Sequence, residues 1–209
     1  MEHLVLDPRV LSDLIARSGL DPTTWQGADD TALGALFTGA PRLFGVTPRA
    51  DLGGRGPAEI ARVAILTLEV ERAGAAAHAH LDERLRCGDQ AERRAVLCAL
   101  PLLAAPERFV DLAVNACRTH ETPVFEAIAC DNTYPGDHFP DAAFQQMVLK
   151  ALFIGLPLAR VVHLGRRRSP ELARMASAYA SERRAAGRTV PADVALLVDP
   201  FTPNDREAR

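Results

Sequence analysis

Side chains able to do chemistry crowd into residues 120–158 of this 209-residue chain. Glu126 and Cys130 are four apart, so on a helix they share a face. Asp131 and Asn132 then end that helix, and Tyr134, Asp137 and His138 follow in what reads as an irregular linker. Donors and acceptors placed after an apolar helix can line a polar pocket. The same Asp, Asn, Pro and Gly types are also ordinary turn chemistry. Both readings stay open.

A second cluster follows within one apolar stretch, where Gln145, Gln146 and Lys150 interrupt Phe144–Leu158. Gln146 and Lys150 lie one turn apart on a segment that is otherwise apolar all round, the pattern of a buried helix. A lysine there either snorkels to solvent or meets a carboxylate, a phosphate or a substrate carbonyl. Burial would depress its pKa, which is how amines become bases or Schiff-base nucleophiles. Lys150 is also the only lysine: the remaining basic residues, of 24 in all, are arginine. An arginine-rich coding bias explains the ratio, and a lysine that persists under it hints at a site needing a compact amine. The candidate ligand-binding set is therefore Glu126, Asp131, Asn132, Tyr134, His138, Gln145, Gln146 and Lys150, with no catalytic residue assigned. A third charged region, the arginine-rich 170–188 carrying Arg174, Glu182, Arg183, Arg184 and Arg188, has the pattern of a solvated helix face, with an anion or partner site as the minority reading.

Several chemistries find no support. Asp29-Asp30 lacks the third spaced carboxylate of a helical magnesium-dependent terpenoid synthase. His78 and His80, two apart on an expected helix, point in different directions and make no metal pair. The four cysteines, Cys87, Cys98, Cys117 and Cys130, form no CxxC pair and no zinc spacing, and read as buried or inert thiols. No GxGxxG, GxxxxGK[ST] or GxSxG occurs, and the Gly53-Gly54-Arg55-Gly56 cluster has no preceding strand to make it a phosphate loop. No metal and no cofactor are expected.

The elements that must position these groups are all helical. Asp7-Pro8, Asp21-Pro22 and Ser169-Pro170 each place an N-cap acceptor before a proline suited to the first turn, and Asp89 with Glu92 fits a capping box. Ile60, Val63, Ala64 and Leu68 repeat at helical spacing, as do Phe144, Met147, Val148 and Ala151. The expected helices are 8–18, 29–38, 57–73, 75–87, 90–104, 106–119, 122–130, 140–155, 157–164, 170–186 and 191–198. Short connections predict antiparallel hairpins, 90–104 with 106–119, 140–155 with 157–164 and 170–186 with 191–198. The fold class is all-α, a compact and irregular HEAT-like bundle or solenoid. The glycine- and proline-rich stretch 45–57 is a loop or hinge that would divide a small N-terminal portion, 1–45, from a main domain, 57–200. Residues 201–209 read as a flexible tail, and a single continuous domain is the alternative.

A net charge of −3 and 5% aromatic residues give nucleic acid or anionic lipid nothing to hold. The most apolar window, 147–162, is too short and too interrupted for a membrane span, and Met1-Glu2-His3 does not begin a secretory signal. A cytoplasmic location is expected.

The run from Glu121 to Pro135, its continuation from Phe144 to Leu158, and the later segments Glu171–Met175 and Tyr179–Pro191 closely resemble the EboA-domain family of metabolite traffic proteins. The match is specific over 121–191 and looser over 57–120. The resemblance implies a bacterial protein from a secondary-metabolite operon whose other products include a UbiA-type prenyltransferase. It carries over no catalytic residues. The leading expectation is an accessory protein that binds or hands on a small-molecule metabolite. An enzyme acting on a cyclitol- or sugar-phosphate-like or prenylated intermediate, with Lys150 as base or electrostatic stabiliser and Asp131 or His138 as proton partner, is one alternative. A helical scaffold for operon partners is the other.

Overall fold

A computed structural model of the chain describes residues 4–198; the expected tail, 201–209, lies outside the described residues. Secondary structure among them is helical throughout: α1 (Pro8–Ser18), α2 (Thr23–Gln26), α3 (Asp30–Phe44), α4 (Pro57–Ala73), α5 (Ala77–Cys87), α6 (Gln90–Ala99), α7 (Val110–Ala116), α8 (Thr122–Ala129), α9 (Tyr134–His138), α10 (Asp141–Ile154), α11 (Leu164–Arg167), α12 (Pro170–Ala185) and α13 (Ala195–Val198), with short 3-10 turns between some of them. Several caps do what their residue types dictate, whereas at Asp21-Pro22 the proline itself stands at the N-cap of α2. Asp7 accepts from the amides of Arg9 and Val10 at 2.7 and 2.8 Å. Asp89 and Glu92 close a reciprocal capping box.

α4 is the centre of the packing, touching α1, α3, α5 and α6, while α6 lies between α4 and α8. Ten of its seventeen residues are buried, among them the charged Arg62 and Glu69. The helix buried nearly all round is therefore α4, where the sequence pattern pointed to 140–155. α10 is one-sided instead: Phe144, Met147, Val148, Ala151 and Leu152 are buried, whereas Gln146, Phe153 and Ile154 face solvent. The ring of Phe153 lies 4.5 Å from that of Tyr179.

Three departures from the expected elements stand out. α3 runs six residues past its expected end and carries Pro41 in its interior. Proline lacks the N–H that would satisfy the carbonyl four residues back. That carbonyl, Phe37 O, accepts instead from Nε of buried Arg62 at 2.9 Å. The linker after α8 holds an extra helix, α9, whose first amide, that of Tyr134, donates to Asn132 Oδ1 at 3.0 Å. The segments 90–104 and 106–119 break into shorter pieces with 3-10 turns at Leu100–Leu102 and Pro106–Phe109, and α6 pairs with α4 and α8 rather than chiefly with α7. By contrast α12 and α13 pack together as the third expected hairpin.

The stretch 45–57 is pinned in place. Leu52 is fully buried, Gly54 N–H donates to Arg49 O at 2.9 Å, and Ala58 N–H donates to Gly45 O at 3.0 Å. A Cβ on Gly56 would stand 2.5 Å from Val46 O, so only glycine allows this approach. One hydrophobic core runs from Leu6 to Leu197 across this stretch. None of the helices among the described residues is long and apolar enough to cross a membrane.

Candidate functional site

A cavity of about 250 Å³ opens where the 45–57 stretch meets α4, α6 and α8. Six charged side chains line it: Arg55, Glu59, Arg94, Glu126, Asp131 and Arg160. Leu4, Leu6, Cys98, Pro101, Ala127 and Cys130 supply apolar wall. Each charge has a structural origin. Arg55 leaves the glycine-rich turn, Glu59 the first turn of α4, Arg94 the middle of α6 and Glu126 the last turn of α8. Arg160 comes from the 3-10 turn Leu158–Arg160.

Asp131 directly follows α8 with φ 54°, a left-handed conformation that aspartate tolerates better than most residues. Its amide donates to Arg160 O at 2.8 Å. In return Arg160 Nε and Nη2 donate to Asp131 Oδ2 at 2.9 and 2.6 Å. Arg160 Nη1 donates to Glu126 Oε1. Burial alone would lower the Arg160 pKa; its bonds to Asp131 and Glu126 outweigh this and hold it above the ordinary arginine value. On the other side Glu59 stands between two guanidinium groups, with Arg55 Nε 3.4 Å from one oxygen and Arg94 Nη2 3.5 Å from the other. These contacts are longer than well-formed charge-assisted hydrogen bonds.

The eight sequence candidates separate into distinct places. Glu126, Asp131 and Asn132 line the cavity. Asn132 is buried and fully engaged: Nδ2 donates to Leu97 O at 3.0 Å and Ala127 O at 2.9 Å, and Oδ1 takes the Tyr134 amide. It ties α6, α8 and α9 together behind the cavity wall. Tyr134 is wholly buried, its hydroxyl donating to Pro106 O at 2.5 Å. Burial first, then nearby Asp111 and Glu107, push its pKa up. His138 packs against the Tyr134 ring at 4.8 Å. Gln145 Nε2 donates to Ser169 Oγ at 3.0 Å, which in turn caps α12, and Gln146 is exposed. Lys150 Nζ donates to Cys117 O and Thr119 O, both at 2.6 Å, and sits 4.4 Å from the Phe125 ring centre. Neither Lys150 nor Gln146 lines the cavity, and Lys150, Asp131 and His138 are each engaged by different groups.

Arg55, Glu59, Arg94 and Arg160 were missed. A signal existed for Arg160, a charge inside the most apolar window of the chain that burial obliges to find a partner. Arg55 sat within the glycine cluster. Glu59 and Arg94 look like ordinary helix-surface charges, and only tertiary packing brings them together.

Smaller groups of titratable side chains lie outside the cavity, such as Glu69 with His80 and Arg84 and Asp137 with His163 and Arg166. His78 Nε2 lies 3.0 Å from both oxygens of Asp111, whereas His80 Nε2 lies 3.1 Å from Glu69. Among the described residues no cluster of three metal-ligating side chains occurs. All four cysteines are free thiols; Cys98 and Cys130 are buried, Cys117 is intermediate, and Cys87 is exposed. A wider groove of about 540 Å³ between α1, α2 and α4 is lined mainly by apolar residues such as Leu11, Ile15, Trp25, Leu68 and Leu102.

Against known proteins, residues 58–199 match a family described as "Metabolite traffic protein EboA". No curated protein and no solved structure matches the chain.

Proposed function

The chain belongs to the EboA family of metabolite traffic proteins, and from that premise we propose that it binds a small-molecule pathway intermediate in the cavity between Arg55, Arg94, Glu126 and Arg160. Convergence of six charged side chains on a space of about 250 Å³ carries this reading. Polar groups converging in a concave site with apolar walls are what a small-ligand site needs. Five of the six, all but Arg55, fall inside the span matched to the family. The apolar groove between α1, α2 and α4 draws much of its lining from residues before that span.

Binding without turnover is favoured by how the candidate proton-transfer groups are used. The Lys150 amine is committed to two carbonyls, the Asp131 carboxylate is on Arg160, and His138 is against Tyr134. A base and its partner must lie within hydrogen-bond reach of the same reacting group. In this reading the protein acts in the cytoplasm as one continuous, irregularly stacked HEAT-like unit. It hands its ligand to operon partners such as the UbiA-type prenyltransferase.

Native mass spectrometry of protein purified gently from the producing strain tests the reading. The expected result is a small adduct, released on denaturation and reduced at least tenfold in the isosteric Glu126→Gln and in Arg94→Met variants. Loss of one charge-assisted hydrogen bond is worth about 1.5–3 kcal/mol, enough for that change. A protein carrying no adduct, or an adduct that both variants retain in full, would overturn it.

A further inference from the structure

Arg55 and Arg94, the two cations on the Glu59 side of the cavity, are held far more loosely than Arg160. A guanidinium carries five N–H donors, and the Arg55 side chain is only 13% exposed. Among the described residues that guanidinium makes no hydrogen bond, and its one ion pair, from Nε to Glu59 Oε1, spans 3.4 Å. Arg94 donates through Nη1 to Pro123 O at 3.2 Å and reaches the other oxygen of Glu59 only at 3.5 Å. Arg160, by contrast, has three contacts no longer than 2.9 Å. One carboxylate standing between two guanidinium groups leaves this side with one positive charge in surplus. Both cations are in place before a ligand arrives. The Arg55 amide donates to Leu52 O at 3.2 Å and its carbonyl accepts from the Arg49 amide at 3.1 Å, while the Pro123 carbonyl of α8 anchors Arg94 of α6.

Resting on the cavity as the binding site, we infer that its ligand is a small organic monocarboxylate, with the carboxylate between Arg55 and Arg94 and an apolar body against Leu4, Leu6, Pro101 and Ala127. Planar guanidinium groups match carboxylate oxygens pairwise, and charge-assisted bonds of this kind are the strong ones. Partial desolvation in the cavity strengthens them further. Three alternatives fit less well. A phosphate monoester carries roughly 1.5–2 negative charges near neutral pH, more than the surplus to be neutralised, and the excess would lie against Glu59, where like charges repel. An ammonium would add a third cation to Arg55 and Arg94. A neutral polyol could accept from both guanidinium groups but would leave their surplus charge in place. A space of about 250 Å³ lies below the usual range for drug-sized ligands, roughly 300–1,000 Å³, so the apolar body is a small one.

Ligand-observed NMR titration of the full chain with benzoate, hexanoate, benzamide, phenyl phosphate and benzylamine tests the inference. Benzoate or hexanoate is expected to bind at millimolar concentration. Benzamide, of the same shape without the charge, should bind more weakly by about tenfold or more, the loss of a charged contact. Arg55→Met and Arg94→Met should each weaken the carboxylates by about tenfold and leave benzamide unchanged. Glu59→Gln should act in the opposite direction. It removes the internal carboxylate that competes for both arginines, so benzoate should bind more tightly and phenyl phosphate should close part of its gap to benzoate. Thermal melting identifies the variants that remain folded. Equal binding of benzoate and benzamide to the wild type, or weaker carboxylate binding by folded Glu59→Gln, would overturn the inference. So would a preference for phenyl phosphate or benzylamine, although the cavity would then remain a ligand site. Absence of binding by every probe, alongside a co-purified adduct that depends on Arg94, would refute the monocarboxylate alone. Absence of both would refute the binding reading as well.

Discussion

Lys150 shows what a single residue can and cannot announce. Its ammonium takes the carbonyls of Cys117, the C-cap of α7, and Thr119 just beyond it, near a helix end where cations are favoured. Burial holds its pKa below the usual 10.5. A compact ammonium can point at both oxygens while lying near the Phe125 ring; a planar guanidinium cannot reproduce that geometry. Lys150→Met should therefore destabilise the fold by about 1–3 kcal/mol in urea titration, and Lys150→Arg should not restore it. Ligand binding by the folded variants should be unchanged. A loss of binding at full stability would return Lys150 to the site.

The buried thiols give a pH signature. Burial is the largest cause pushing Cys98, Cys117 and Cys130 from 9.0 up to about 12. Each protonated thiol contributes stability that is complete below pH 9. That contribution is lost as pH rises from 9 towards 12, because the unfolded chain releases its protons first. Lys150 works in the opposite sense as pH rises towards 10.5, but it is one group against three. Unfolding free energy should fall through this window, and Cys98→Ala should lower stability at pH 7 yet flatten the alkaline limb. An unchanged limb would contradict the assignment.

At the scale of elements, α3 continues through Pro41 because another helix supplies what proline removes. Arg62 of α4 donates to the orphaned Phe37 carbonyl, approaches Thr38 O at 3.5 Å, and lies 3.7 Å from Glu92 of α6. Removing the guanidinium leaves a carbonyl unsatisfied and a carboxylate without this partner. Arg62→Met is expected to cost about 3–5 kcal/mol. In a Pro41→Ala background the new amide can satisfy Phe37 O, so the same substitution should cost less; a double-mutant cycle measures the difference. Strict additivity would show that Pro41 and Arg62 are not coupled.

Helix existence was legible in the sequence because capping, proline placement and periodicity are local. The starts at Pro8, Pro57, Gln90 and Pro170 fall where Asp7, the glycine-rich turn, Asp89 and Ser169 place them. The end of α3 was not legible, since its solution lies 21 residues away at Arg62. The α9 turn was also hidden, because Asn132 reads equally well as a helix terminator and as the acceptor that starts a new turn. Four of the six cavity charges escaped, two of them for the same reason: Glu126 and Asp131 stand in a polar run, whereas Glu59 and Arg94 meet only through the packing of α4 on α6.

Across the whole molecule, the core joins α1 to α13 and the charged cavity sits at the junction of α4, α6, α8 and the 45–57 stretch. Net charge is only −3, so under the proposed binding role ligand selection would rest on the local arrangement of charges rather than on long-range attraction. In the proposed role this arrangement holds a metabolite and leaves it chemically unchanged. Incubating the purified protein with a metabolite extract from a strain lacking it, followed by mass spectrometry of the free and denaturation-released pools, tests that claim most directly. Depletion of one compound by about one equivalent, with the same mass recovered from the denatured protein, is the predicted result. Conversion of many equivalents into a new mass would contradict it and make the cavity an active site.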